Sequence, residues 1–150
     1  MDNLFSSCKV VPTVVPINCN NVSEGTGVAV DTLGFESIMM IAHQGISGDT
    51  LAVGLYWEIT FEENDVTTAG SFTHIADADL AGGAHQVRIN AAAEDPTTIV
   101  RFYRGKKRYV RIVWTETGTH TTGTPIAGIV ILSQPIQMPQ TQTTELGSNE

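Results

Sequence analysis

The sequence is short of charge. Asp, Glu, Lys and Arg make up 16% of its 150 residues, where a soluble domain carries about 25%. What charge there is leans to one sign, with eight Lys and Arg against sixteen Asp and Glu and a net charge of −8. A polar but uncharged surface, rich in Thr, Gly, Ser and Asn, suits a protein that works inside an assembly. No apolar run approaches the 18 or more residues that span a bilayer, so no membrane partner is expected. The opening MDNLFSSCKVVPTVVPINCN has no basic cluster ahead of an apolar block, and so lacks the pattern of a secretory signal. Cysteine is scarce: Cys8 and Cys19 are the two present. In a secreted protein they could pair; in a reducing cytoplasm they stay thiols, which is the expectation here.

Helical periodicity is also missing. The chain reads as strands bounded by turn residues. Residues 51–61 alternate Leu51, Val53, Leu55, Trp57, Ile59 and Phe61 with smaller or more polar residues, the period of a half-buried strand. FESIMMIAHQ (35–44) and IAGIVIL (126–132) are continuous apolar runs and read as more buried strands. Pro96 and Asp95 place a turn near 91–96. About eight strands, with turn signals roughly every ten residues, point to an all-β sandwich or barrel. The organisation expected is an extended N-terminal segment (1–24), a β-domain (25–135) and a polar C-terminal tail (136–150).

Signatures of chemistry are sparse. There is no HxH pair, no CxxC, no GxSxG and no phosphate-binding glycine loop. Gly25-Thr26-Gly27 is followed by no helix. Asp77 and Asp79 could offer two carboxylates to a calcium ion, but no further acid follows until Glu94, so turn capping is the better reading. His43, His74, His85 and His120 are spread along the chain. No catalytic residue, metal or cofactor is expected.

Positive charge, by contrast, is concentrated. Arg101, Arg104, Lys106, Lys107, Arg108 and Arg111 fall within eleven positions, leaving Lys9 and Arg88 elsewhere. The runs TTIVRFY (97–103) and KRYVRIVWTE (107–116) flank Arg104-Gly105-Lys106, which reads as a hairpin turn. In that reading Arg101, Tyr103, Tyr109 and Arg111 face outward, and Arg104, Lys106 and Lys107 form the tip. Basic residues among aromatics can bind single-stranded nucleic acid. A chain at −8 repels phosphate, however, so an acidic protein surface, including another copy, is the expected partner rather than nucleic acid.

Three segments carry a resemblance: VDTLGFESIMMIAHQG (30–45), GSFTHIADADLAG (70–82) and YRGKKRYVRIVWTETGTHTTGTPIAGIVILSQP (103–135). Their order resembles that of small capsid decoration, or cement, proteins of tailed bacteriophages. The resemblance implies a β-sandwich of jelly-roll type, a homodimer or homotrimer, and a place on the outer surface of the virion capsid over contacts between major capsid subunits, reached after assembly in the host cytoplasm. A jelly-roll carbohydrate-binding or fibre-associated adhesion module is the alternative, and an exposed Trp57 or Tyr56 would favour it. The core is expected from Leu51, Val53, Leu55, Trp57, Ile59, Phe61, Val110, Ile112, Trp114, Ile129 and Ile131. On this reading, Val53→Asp and Ile112→Asp both prevent folding.

Overall fold

A computed structural model describes residues 7–136. The alternating and apolar runs form strands β1 (Cys8–Cys19), β2 (Val30–Asp31), β3 (Phe35–Gln44), β4 (Tyr56–Asn64) and β5 (Thr73–His74), then β6 (Leu80–Ala81), β7 (Gln86–Ile89), β8 (Thr97–Tyr103), β9 (Tyr109–Thr117) and β10 (Thr124–Pro135). One helical turn, α1 (Val22–Gly25), and three short 3-10 turns lie between them. The fold is the expected all-β sandwich. Ten strands replace the expected eight or so because β2, β5 and β6 are two residues long, too short to leave a period in the sequence.

All ladders are antiparallel. The first sheet runs β1-β10-β3-β8-β6 and the second β2-β9-β4-β5, with β7 also paired to β4. The chain's outermost long strands thus pair with each other: Cys8 sits opposite Ser133 and Cys19 opposite Thr124. Residues 8–19, expected as an extended leading segment, therefore form the edge strand of the first sheet. Cys8 and Cys19 mark its two ends, roughly 35 Å apart at strand rise, far beyond the ~7 Å limit for a disulfide between them. Of the expected tail, residues 137–150 lie outside the described residues.

The core fills the gap between the sheets. Trp57, Ile59 and Phe61 of β4 and Val110, Ile112 and Trp114 of β9 are fully buried, as are Met40 and Ala42 of β3 and Val130 of β10. Large rings need space on the facing sheet. Gly128 of β10 supplies it: a methyl group there would stand 2.9 Å from Thr13 Cγ2 and 3.4 Å from the Trp114 ring. Gly25 and Gly27 have a similar role at the sheet edge, since an added methyl would fall 2.4 Å from the carbonyl oxygens of Trp114 and Ile112 respectively. The Gly25-Thr26-Gly27 motif lets the chain lie flush against β9, where Thr26 bridges Val113.

Part of the expected core is corrected. Val53 is 86% exposed. The strand begins at Tyr56, and residues 51–55 form a tight turn closed by reciprocal Ala52–Leu55 backbone bonds of 2.8 and 3.0 Å. Leu51 is buried, while Leu55 is only half-buried. Ile129 and Ile131 point away from the core, and Ile126, Val130 and Leu132 point into it. The run IAGIVIL is apolar on both faces, so its pleat has no readable phase.

These placements reverse one half of the mutational expectation. Val53→Asp should fold with a stability within about 0.5 kcal/mol of the parent, the range of ordinary surface changes. Ile112→Asp should not fold, because an unpaired charge between the sheets costs several kcal/mol. Circular-dichroism melts of both variants check the contrast.

Candidate assembly surfaces

The cationic segment is not a hairpin. β8 pairs with β3 and β6 in the first sheet, and β9 pairs with β4 and β2 in the second. The five residues 104–108 carry the chain across the sandwich. A crossover changes the phase of the pleat, and on β8 the expected phase is inverted. Ile99, Arg101 and Tyr103 face the interior, while Val100 and Phe102 face outward.

Arg101 is therefore a buried cation, 8% exposed. Its guanidinium donates to the carbonyls of Ala84 (2.9 Å), Gly82 (2.7 Å) and Val100 (3.0 Å), and its charged centre lies 5.6 Å from the Phe61 ring centroid. Burial lowers its pKa and the charge of Asp77 partly offsets that. It closes the loop of residues 82–84, where Gly82 and Gly83 take left-handed φ angles of 102° and 130°.

Three more of the six cations are engaged internally. Arg111 donates to Glu62 at 2.7 Å and stacks 4.2 Å from the Phe72 centroid; both partners of the ion pair are largely buried. Arg108 grips both oxygens of Asp31, and its hydrogen bond holds that carboxyl below the usual carboxylate range. Lys107 pairs with Asp65. Arg104 and Lys106 are exposed, and neither side chain has a hydrogen-bond or ion-pair partner among the described residues. Only these two of the sequence-predicted set are available to a partner in the way expected. They line a groove of about 340 Å³ between residues 32–36 and 103–108, shared with Glu36 and Phe35.

The other candidates are accounted for by local structure. Asp77 accepts the backbone N–H of His85 at 2.8 Å and contacts its ring nitrogen at 2.6 Å. Asp79 belongs to a 3-10 turn. His74 and His85 meet with ring centroids 4.9 Å apart, but no group of three His, Cys, Asp or Glu among the described residues could hold a metal ion. Trp57 is fully buried, donating to Thr124 Oγ1 at 2.8 Å and stacked on His120. Tyr56 is covered by Arg88 at 4.3 Å. Neither ring forms the exposed platform that sugar binding would use.

Asp49, which the sequence did not single out, ties two loops together. It accepts from the Thr121 hydroxyl and from the backbone N–H groups of Thr121, Thr122 and Gly123, at 3.0–3.2 Å. Burial would raise its pKa, but these donors outweigh burial and hold it at about 2. His120, its side chain fully buried, lies 3.6 Å away, too far for a hydrogen bond.

The second surface is the outward face of the first sheet. Register aligns Pro12, Ile129, Ile41 and Val100 in one row across four strands. The next row is Val10, Ile131, Met39 and Phe102. Ser133 and Ser37 flank these rows at one end, and Ala127, His43 and Thr98 at the other. No Asp, Glu, Lys or Arg lies on this face of β10, β3 or β8. The outward face of the second sheet differs, carrying Glu58–Arg88 and Glu62–Arg111 pairs. Continuous apolar runs on strands signal burial on both faces, so FESIMMIAHQ and IAGIVIL held this surface in the sequence. Among the described residues, no strand or sheet packs on that outward face.

Two outcomes follow. Arg101→Ala should destabilise the fold by about 2–4 kcal/mol, the scale of lost hydrogen bonds to a charged donor; Arg104→Ala and Lys106→Ala should stay within about 0.5 kcal/mol. Denaturant melts measure both. Asp49 has a depressed folded pKa, so its contribution is complete above its unfolded value near 3.8 and is lost as pH falls toward about 2. The stability advantage of the parent over Asp49→Asn should be constant above about pH 5 and shrink below about pH 4. No protein-family model, curated protein or solved structure matches this chain.

Proposed function

We propose that the chain is a structural virion protein of the capsid-decoration kind: a non-enzymatic subunit that binds the outer surface of a phage head and ties neighbouring major capsid subunits together. One observation carries the reading. A protein at −8 keeps a whole sheet face free of charge, with apolar rows across four strands. An apolar patch of that extent is at the upper end of those on monomers, and such patches are often functional.

The resemblance supports the same conclusion, and two of its three segments meet in space. The Asp-Thr-Leu-Gly-Phe stretch (31–35) and the Arg-Gly-Lys-Lys-Arg stretch (104–108) are distant in sequence yet form opposite walls of one groove. Arg104 and Lys106 at that groove are free to meet carboxylates of a shell subunit, where a desolvated Arg contact can contribute 2 kcal/mol or more. Many copies on a symmetric lattice multiply each weak contact, and binding favours the intact shell by linkage.

Quantitative mass spectrometry of purified virions should count hundreds of copies per head; a handful would point to a tail or fibre role and overturn the reading. Binding to empty heads should weaken at least tenfold in Arg104→Glu/Lys106→Glu, and should weaken with salt as the Debye length falls from about 10 to 3 Å. A variant that binds heads normally but loses tight, salt-sensitive binding of single-stranded DNA would replace this function with nucleic-acid binding.

A further inference from the structure

We infer that the uncharged outward face of the first sheet is occupied by a second copy of this chain, packed sheet against sheet about a twofold axis. The inference rests on the assembly reading above and names the partner for that face.

The chemistry of the face selects the partner. Two bodies each carrying −8 repel unless their contact excludes charge. This face excludes it: among the described residues Glu36, near the start of β3, is the one acid on a strand of the first sheet, and it sits on the opposite pleat phase from Met39 and Ile41, while others such as Glu58, Glu62, Asp65 and Asp77 lie on the second sheet or in loops. Without charges, the face offers a foreign partner no complementary pattern to fix a register. A twofold contact needs none, because each apolar row meets the same surface on the other copy. The arrangement is already that of an interface, with Ile129, Ile131, Met39 and Ile41 at the centre and the polar Ser37, Ser133, Thr98 and His43 around them.

The β1 edge of the sheet is a poor alternative. β1 is its long outer strand, and Pro12 and Pro16 remove two donors from it. Register shifts on both sides of Val14 bend it, and the Thr13 carbonyl is already bonded by Val28 N–H at 2.7 Å. Association by extending the sheet from β1 is therefore hindered, and the contact we infer uses the face.

Size sets the strength. Four strands about 4.8 Å apart, with two apolar rows and their flanks, present about 500 Å². That is at the upper end of patches on monomers and below the roughly 800 Å² per partner of a standard stable interface. The dimer is therefore concentration-dependent.

Sedimentation velocity of the full chain from 1 to 100 µM tests this (a span set by the modest area). The parent should pass from monomer to dimer, and added salt should not dissociate it. Ile131→Lys and Phe102→Lys should each shift the midpoint at least tenfold upward. Both variants lower the net negative charge, so added repulsion between whole proteins cannot explain a loss. Phe102 is 46% exposed, so that variant keeps the fold, which a melt confirms. A parent that is monomeric throughout, or a dimer unaffected by both variants, overturns the inference. The two readings separate in the head-binding assay. A monomeric parent that binds heads through this face leaves the function standing and removes the inference. A dimer sensitive to both variants that never binds heads does the reverse.

Discussion

The crossing from Tyr103 to Tyr109 constrains everything around it. Five residues must carry the chain from one sheet to the other, across a gap of about 10 Å. That geometry separates β8 from β9, which would otherwise pair as neighbours in sequence. It turns Arg101 and Tyr103 inward and leaves Arg104 and Lys106 at the outside of the bend. Tyr103 anchors the inner side: its hydroxyl donates to Glu63 and accepts the Lys107 backbone N–H at 2.9 Å. Burial and the nearby Glu63 charge both push its pKa upward, so it stays a neutral donor.

Charge in this protein is sorted by sheet. Ion pairs cross-link the second sheet and its loops, with Arg111–Glu62 the most enclosed. Removing one member of such a pair strands the other, which is why enclosed pairs are sensitive to mutation even when their net contribution is small. The outward face of the first sheet has no such ion pairs on β10, β3 or β8; its rows are apolar, with a His43–Thr98 hydrogen bond of 2.8 Å at one end. The two outward faces of one small domain thus differ in chemistry, with paired charges on one and apolar side chains on the other.

The sequence made the class of fold legible because period-two alternation on β4 and β9 is clear, and Trp57, Ile59, Phe61, Val110, Ile112 and Trp114 were all identified as core. It hid the pleat phase of β10 and β8. On β10, Ile126 to Leu132 is apolar throughout, and on β8 an Arg on the inside reverses the usual rule for charge. The tertiary carbonyl cage of Ala84, Gly82 and Val100 makes that placement favourable, and no local pattern announces it. Of the six cations chosen as a docking site, four are engaged by carboxylates or carbonyls contributed from distant loops and strands. Arg-Gly-Lys reads as a hairpin turn only if the next strand returns beside the last, and here it does not.

The pairing of β1 with β10 has a consequence in time. Cys19 is synthesised before Thr124, yet the two end opposite each other. At about 5–20 residues per second, the first strand waits roughly 5–20 s for its partner to leave the ribosome. Throughout that delay KVVPTVVPIN is an apolar, β-prone segment without its ladder, and its two prolines alone depart from the composition of an aggregation-prone strand. Pro12 and Pro16 interrupt its row of donors, so a neighbouring nascent chain finds no continuous edge to join. The two prolines therefore guard the chain during synthesis, before there is any sandwich for them to belong to.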